Sequence, residues 1–276
     1  MSGAAQGGSA HAAILTEERR AARKGGALAA ATLLACLVAL WVTGFFDATR
    51  LIEGGPAIAQ LADEMTPPDF GRWRKWITPL ADTLAMSVAG TALAVLFSLP
   101  LALLAAPNTT PNQVVCQAAR LLLSALRSVS EIILGVLFVA AVGFGALPGV
   151  LALALHSVGM VGKFYAEAIE HVDPRPVEAA RAAGCGPLGV ILHAVLPQVL
   201  PQLADITIYR WEYHFRASAV LGIVGAGGIG QYLTELIRVL ELQQVAFLVL
   251  MILVTVAAID AISSRLRRAL IGEQAR

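Results

Sequence analysis

Charge is what this sequence has least of. Only 14% of its 276 residues are charged, while 57% are hydrophobic, and the mean hydropathy is +0.72. Soluble domains carry about 25% charged residues, so a water-facing surface around the whole chain is excluded and a helical membrane bundle is implied. A net charge of +1 gives no footing for nucleic acid. Cysteine is scarce as well: Cys36, Cys116 and Cys185 show no metal-ligand spacing and read as small packing residues. No G-x-x-x-x-G-K-[ST] occurs anywhere in the sequence, so the chain lacks that route to binding ATP. No metal-binding histidine cluster or Ser-Lys dyad stands out, which argues against an intramembrane enzyme.

What the sequence does have is long uncharged windows. Leu28 to Phe46 is apolar enough for a first spanning helix, and the next window divides at Pro107-Asn108-Thr109-Thr110-Pro111. Further helices are expected over about Leu80–Ala106, Leu121–Val142, Leu147–Ile169, Leu200–Val224 and Val245–Ile262. Each is close to the roughly 20 residues that cross a bilayer core, and a closed barrel would need alternating strands that are not seen. The N-terminal apolar run is too long, and lacks a small-x-small site, for a typical cleaved signal. Six crossings are expected. Arg19, Arg20, Arg23 and Lys24 before the first, and Arg265, Arg267 and Arg268 after the last, put both ends in the cytoplasm of a cell membrane. Arg72, Arg74 and Lys75 fall on the external side, where Trp73 and Trp76 would make them an interfacial anchor.

The most informative polar stretch separates the fourth and fifth helices. Asp173-Pro174-Arg175-Pro176 suits a helix start, Glu178 sits near the positive end of the helix dipole, and Gly184 with Gly186-Pro187 turns the chain. Two short helical pieces around a glycine turn are predicted. Alanines keep the first piece low, so that a partner protein could approach closely; an ordinary hairpin is the alternative.

Glu178-Ala179-Ala180, Gly184 and the later Leu196-Pro197 resemble the EAA motif of binding-protein-dependent ABC importer permeases. The departure is Ala194, where the family usually has isoleucine. Asp82 to Ser87, Arg127 to Glu131, Ala154 to Ser157, Tyr209 to Glu212, Phe215-Arg216 and Val220 to Gly230 are similar to segments of phosphonate permeases, a branch that includes phosphite importers. The resemblance, over residues 65–265, implies an all-α type I (MetI-like) permease fold of about six spans. Its parts would be residues 1–77 (tail, first span and external segment), 78–268 (core, with coupling loop 171–200) and 269–276 (tail). It also implies a dimer of ABC ATPase subunits that use ATP and Mg, an extracytoplasmic binding protein, and a second permease copy or sister permease. The chain itself would be a transport subunit, not an enzyme, and would bind no cofactor. A stand-alone channel or secondary transporter is the competing class; the inverted repeats common in such folds are not evident.

Ionisable groups inside a membrane helix are costly and therefore functional candidates. Arg127 and Glu131, and Glu212 and Arg216, lie four apart, a spacing that would let each pair close on one helical face. Arg127, Arg210 and Arg216 are candidates to line or gate an anion path, or else to hold the bundle together. Lys163 and Glu167 read as a pair near a helix end, His156 as a hydrogen-bonding partner across helices, and Asp82 and Thr83 as a helix cap. Gly225, Gly227 and Gly230 match G-x-G-x-x-G, but no strand-and-helix alternation surrounds them, so they read as a turn and not a nucleotide site.

Overall fold

The computed structural model describes residues 3–271, and every regular element among them is helical. The tips of the two expected tails, 1–2 and 272–276, and the side chains of Arg19 and Arg23 lie outside the described residues. The chain forms two compact units that divide after Asp63. The first holds α1 (Gly3–Val42), whose apolar part Lys24–Val42 is long enough to span, and most of α2 (Ala48–Glu64). Hydropathy does not announce α2, because Glu53, Asp63 and Glu64 make it too polar for a span.

The second unit begins with a tight turn at Trp73–Trp76 that runs into α3 (Ile77–Ala105). Then come α4 (Gln113–Ser128), α5 (Glu131–Val142), α6 (Ala146–Glu170), α7 (Pro174–Ala182) and the single turn α8 (Pro187–Val190). A π turn, Ile191–Val195, joins α8 to α9 (Leu196–Leu221), and α10 (Gly228–Arg238) and α11 (Leu242–Ile271) complete it. Trp76 is fully buried at the head of α3, in a cluster with Ile229, Leu236 and Leu248 of α10 and α11. Lys75 lies over its ring at 4.8 Å, and the expected external anchor is thus packed on one side.

Helix directions follow from the contacts. Gly149 faces Met86, Gly90 faces Leu153, Ser98 Oγ donates to the Val158 carbonyl at 3.2 Å, and Asn108 Nδ2 donates to the Ile169 carbonyl at 2.6 Å. Both chains advance together, so α3 and α6 are parallel, and α4 with α5 must carry the chain back between them. The expected continuous third span, Leu121–Val142, is therefore two helices that meet at 81° but make one crossing. The bend has a chemical cause. The Val129 carbonyl is held by His156 Nδ1 at 2.8 Å instead of by a following amide, and Ser130 restarts the helix by accepting the Ile132 N–H. Backbone freed at membrane depth has to find such a partner. α9 runs antiparallel to α6, as Tyr165–Thr207 and Ser157–His214 contacts show, and α11 antiparallel to α9 through Arg267–Asp205 and Arg216–Asp260.

Small residues set the packing distance, as they do where lipid removes any hydrophobic preference between helices. A Cβ on Gly159 of α6 would come within 2.6 Å of both the Arg127 amide nitrogen and the Leu123 carbonyl of α4. Neither backbone atom can move aside. Replacing Gly159 by valine is expected to cost about 1–3 kcal/mol through overpacking, read as a lower melting temperature of the purified protein; an unchanged melting temperature would contradict the α4–α6 contact.

Candidate functional site

Three spanning helices bring their polar side chains to one buried row: Thr91 from α3, Ser157 from α6, and Arg210 and His214 from α9. The row has a fixed order of protons. Thr91 donates its hydroxyl proton to the Ser87 carbonyl at 2.7 Å, so its 2.7 Å contact with His214 Nδ1 requires the ring proton on Nδ1. His214 Nε2 is then an acceptor, and the Ser157 hydroxyl donates to it at 2.5 Å. With its proton committed, Ser157 accepts the Arg210 Nε–H at 2.8 Å.

Beyond Arg210 the row continues toward the bend. The guanidinium lies 4.2 Å from the centre of the Tyr213 ring, a cation–π geometry. The Tyr213 hydroxyl donates to Glu131, and the other Glu131 oxygen is 3.2 Å from His156 Nε2. His156 Nδ1 meets the Val129 carbonyl, which can only accept, so Nδ1 carries a proton. His156 does bond across helices, and through it the α4–α5 bend is tied to α6 and α9.

The two expected same-helix ion pairs do not form. Arg127 ends α4 and Glu131 starts α5, so the bend separates them. Arg127 is exposed beside a cavity of about 190 Å³ that Arg120, Lys163, Glu167 and Glu170 also line. Glu212 accepts from Arg267 at 2.9 Å, Arg267 also lies 3.4 Å from Asp205, and Arg216 pairs with Asp260 at 3.5 Å. A spacing of four places two charges on one face, but α11 offers partners facing them directly, and the cross-helix pairs win. Lys163 and Glu167 do pair, at 3.4 Å. Thr83 does not cap α3; it lies inside that helix, and its hydroxyl accepts the Ile229 N–H at 2.8 Å, holding the start of α10. Asp205, His214 and Asp260 escaped the sequence reading, although each is an ionisable residue in an expected span, and Arg267 reads there only as a mark of the cytoplasmic end. Thr91, Ser157 and Tyr213 carry no such signal.

The polar loop is organised separately. Asp173 accepts the Arg175 N–H at 2.9 Å and caps α7, with Pro174 in its first position. Arg175 also meets the Asp173 carboxylate through its guanidinium at 2.6 Å, and that hydrogen bond holds the carboxyl below the usual carboxylate range. No residue of α7 is buried: Glu178 and Ala179 are exposed and Ala180 half-buried. Gly184, at φ +83°, turns the chain where a side chain would be strained. Leu196 and Pro197 stand in the first turn of α9, not in a loop, and Leu196 packs on the core. Gln198 closes the arrangement, accepting the Asp173 N–H at 3.0 Å and donating to the Ala194 carbonyl at 2.6 Å. That clamp, absent from the sequence reading, fixes the start of α7 to the start of α9. Gly225, Gly227 and Gly230 lie at the turn into α10 and in its first residues, with no strand before them. No group of three His, Cys, Asp or Glu side chains among the described residues is placed to hold a metal.

Residues 98–272 match the profile of a family described as binding-protein-dependent transport system inner membrane component. The chain is 64% identical, over 84% of its length and 84% of the relative's, to the phosphite transport system permease protein PtxC of Stutzerimonas stutzeri. It is 43% identical to the phosphate-import permease protein PhnE of Mycolicibacterium smegmatis, over 86% of this chain but 44% of that longer one. Among solved structures it resembles a chain of the inward-facing MetNI methionine ABC transporter, with a TM-score of 0.63 and 21% identity over 73% of this chain and 99% of that one. The fold is thus the MetI type. With its several apolar spans and this profile, the chain is a multi-pass membrane protein and belongs to the family of inner membrane permeases of binding-protein-dependent transport systems.

Proposed function

We propose that this chain is the membrane-spanning subunit of an ATP-driven importer for a small phosphorus oxyanion, with phosphite first and phosphonate or phosphate next. The 64% identity to a phosphite permease, alongside relatives named for phosphate and phosphonate, carries the substrate class. In this reading both termini are cytoplasmic, and the α7 end of the bundle faces a dimer of ABC ATPase subunits that bind ATP and Mg. An extracytoplasmic binding protein delivers the anion, and a second copy of this chain or a sister permease completes the pathway. Arg127 and Arg210 are its proposed cationic lining; of the two roles open to Arg216, its pairing with Asp260 favours joining α9 to α11, and Glu131 and Glu212 hold neighbouring groups in register.

Glu178, Ala179, Ala180 and Gly184 are the proposed docking surface for the ATPase. The observation that supports this is a short helix with no buried residue, on which Glu178 and Ala179 are exposed. α7 presents a low surface of alanines, and Gln198 and Asp173 link it to the first turn of α9. Motion imposed on α7 by ATP-driven closure would pass through that link to the helix that carries Arg210. Two arrangements of the bundle that differ by a few kcal/mol are all that alternating access requires.

A strain that lacks this gene and other uptake routes, grown on single phosphorus sources, tests the whole reading. Growth on phosphite or on one phosphonate should be restored by the wild-type gene and not by Gly184→Trp, in which a bulky side chain must adopt φ +83°. Growth that never depends on the gene would refute the substrate class; a fully functional Gly184→Trp would refute the docking loop.

The clamp makes a second, structural prediction. Because the Asp173 carboxyl titrates below its ordinary range, its contribution to α7 is complete above that range and is lost as pH falls through the lowered value. Hydrogen exchange of the α7 amides should therefore stay slow into mild acid in the wild type. Asp173→Ala and Gln198→Ala should speed it at neutral pH; equal protection in both variants would show that the clamp does not hold the helix.

A further inference from the structure

Most cations along the spanning helices have a carboxylate facing them: Arg120 has Glu170, Lys163 has Glu167, Arg216 has Asp260, and Arg267 has both Asp205 and Glu212. Arg210 does not. It is 4% exposed, forms no ion pair among the described residues, and has a buried Nη2 with no hydrogen-bond acceptor. Its position makes this costly, because Ser157 and His214, which it adjoins, lie near the middle of α6 and toward the outer half of α9. A buried guanidinium at membrane depth without an anion carries a desolvation penalty that hydrogen bonds to neutral groups only partly offset.

The surrounding groups hold this charge in place without neutralising it. Ser157 has only a lone pair to offer, since its proton goes to His214, and His214 is committed in turn to Thr91. The Tyr213 ring covers the guanidinium with a diffuse negative face, which is a weaker partner than a true anion. The carboxylate connected to this group, Glu131, forms no ion pair with Arg210 and already takes the tyrosine proton and the His156 contact. The Nε side of the fork is thus anchored while the Nη side is left for an acceptor that arrives from elsewhere. A guanidinium fork matches two oxygens of a tetrahedral oxyanion and binds them by charge-assisted hydrogen bonds.

We propose that Arg210 is the substrate contact at the middle of the bundle: its Nη edge takes the phosphorus oxyanion as it crosses, displacing the Tyr213 ring, while Ser157, His214 and Thr91 hold the fork in position. This rests on the oxyanion-importer reading above and names its binding residue. Arg216 and Arg267, paired across α9 and α11, would serve to join those helices instead.

The test uses the complete complex, purified with its ATPase and binding-protein partners and reconstituted in vesicles, with labelled phosphite and phosphate as probes. Anion moved and ATP hydrolysed are measured together, so that their ratio reports loss of the substrate contact and not loss of assembly. Arg210→Gln should lower the ratio of anion to ATP at least tenfold, and Arg210→Lys, which keeps the charge but not the fork, at least threefold. Uptake and ATP hydrolysis that fall in parallel, at an unchanged ratio, would overturn the proposal by showing a purely structural arginine. If Arg210→Gln does not assemble, Arg210→Lys decides by the same ratio. A wild-type complex that moves neither of these anions nor labelled methylphosphonate would refute the importer's substrate class, whereas wild-type transport with an unaltered ratio in the variants would refute the Arg210 contact alone.

Discussion

A bilayer core offers no water to a carbonyl or a guanidinium, so every polar group carried into it must be answered by another part of the protein. Much of this bundle's geometry follows from that constraint. The Val129 carbonyl, released where α4 ends, is answered by His156; His156 is answered by Glu131, and Glu131 by Tyr213. The bend between α4 and α5 is stable because this row of side chains from α5, α6 and α9 takes up what the bend exposes. Hydroxyls do the same work on α3, where Thr83, Ser87 and Thr91 satisfy themselves on preceding carbonyls and remain available to neighbouring helices.

The same constraint distinguishes charges that are paired across helices from one that is not. Arg267 lies between Asp205 and Glu212, and Arg216 faces Asp260, which ties α11 to α9 along the length of both. Such partly exposed pairs contribute little stability individually; their value is in registering two long apolar helices that would otherwise slide. Arg210, by contrast, is contacted directly by the neutral Ser157 hydroxyl and Tyr213 ring and forms no ion pair among the described residues. A chain of hydrogen bonds from Thr91 through His214 and Ser157 keeps it oriented.

At the opposite extreme of burial, α7 has no buried residue yet is firmly placed. Its start is fixed by a cap and a side-chain clamp, its middle by Val177 against the core, and its end by a glycine turn, so the face carrying Glu178 and Ala179 is presented to solvent. The route from that surface to the buried row is short in chain terms. Gln198 stands in the first turn of the same helix that carries Arg210, Tyr213 and His214.

The sequence by itself determined how many times the chain crosses and where its polar interruption lies, because hydropathy and turn chemistry are local properties. Five spans matched the apolar windows, the polar segment folded as two helical pieces about Gly184, and the EAA spacing identified the family before any contact was known. Residues with no local signature were settled only by the tertiary structure. An apolar run reads the same whether the helix is straight or bent by 81° at Val129-Ser130, since the cause is a histidine 27 residues away. Arg127 and Glu131, or Glu212 and Arg216, have the spacing of ion pairs, but spacing says only what a helix permits. Which partner a charge takes depends on what the neighbouring helix presents, and α11 presented Asp260 and Arg267. Ser157, Thr91 and Tyr213 are ordinary residues in sequence; packing alone gathered them around one arginine.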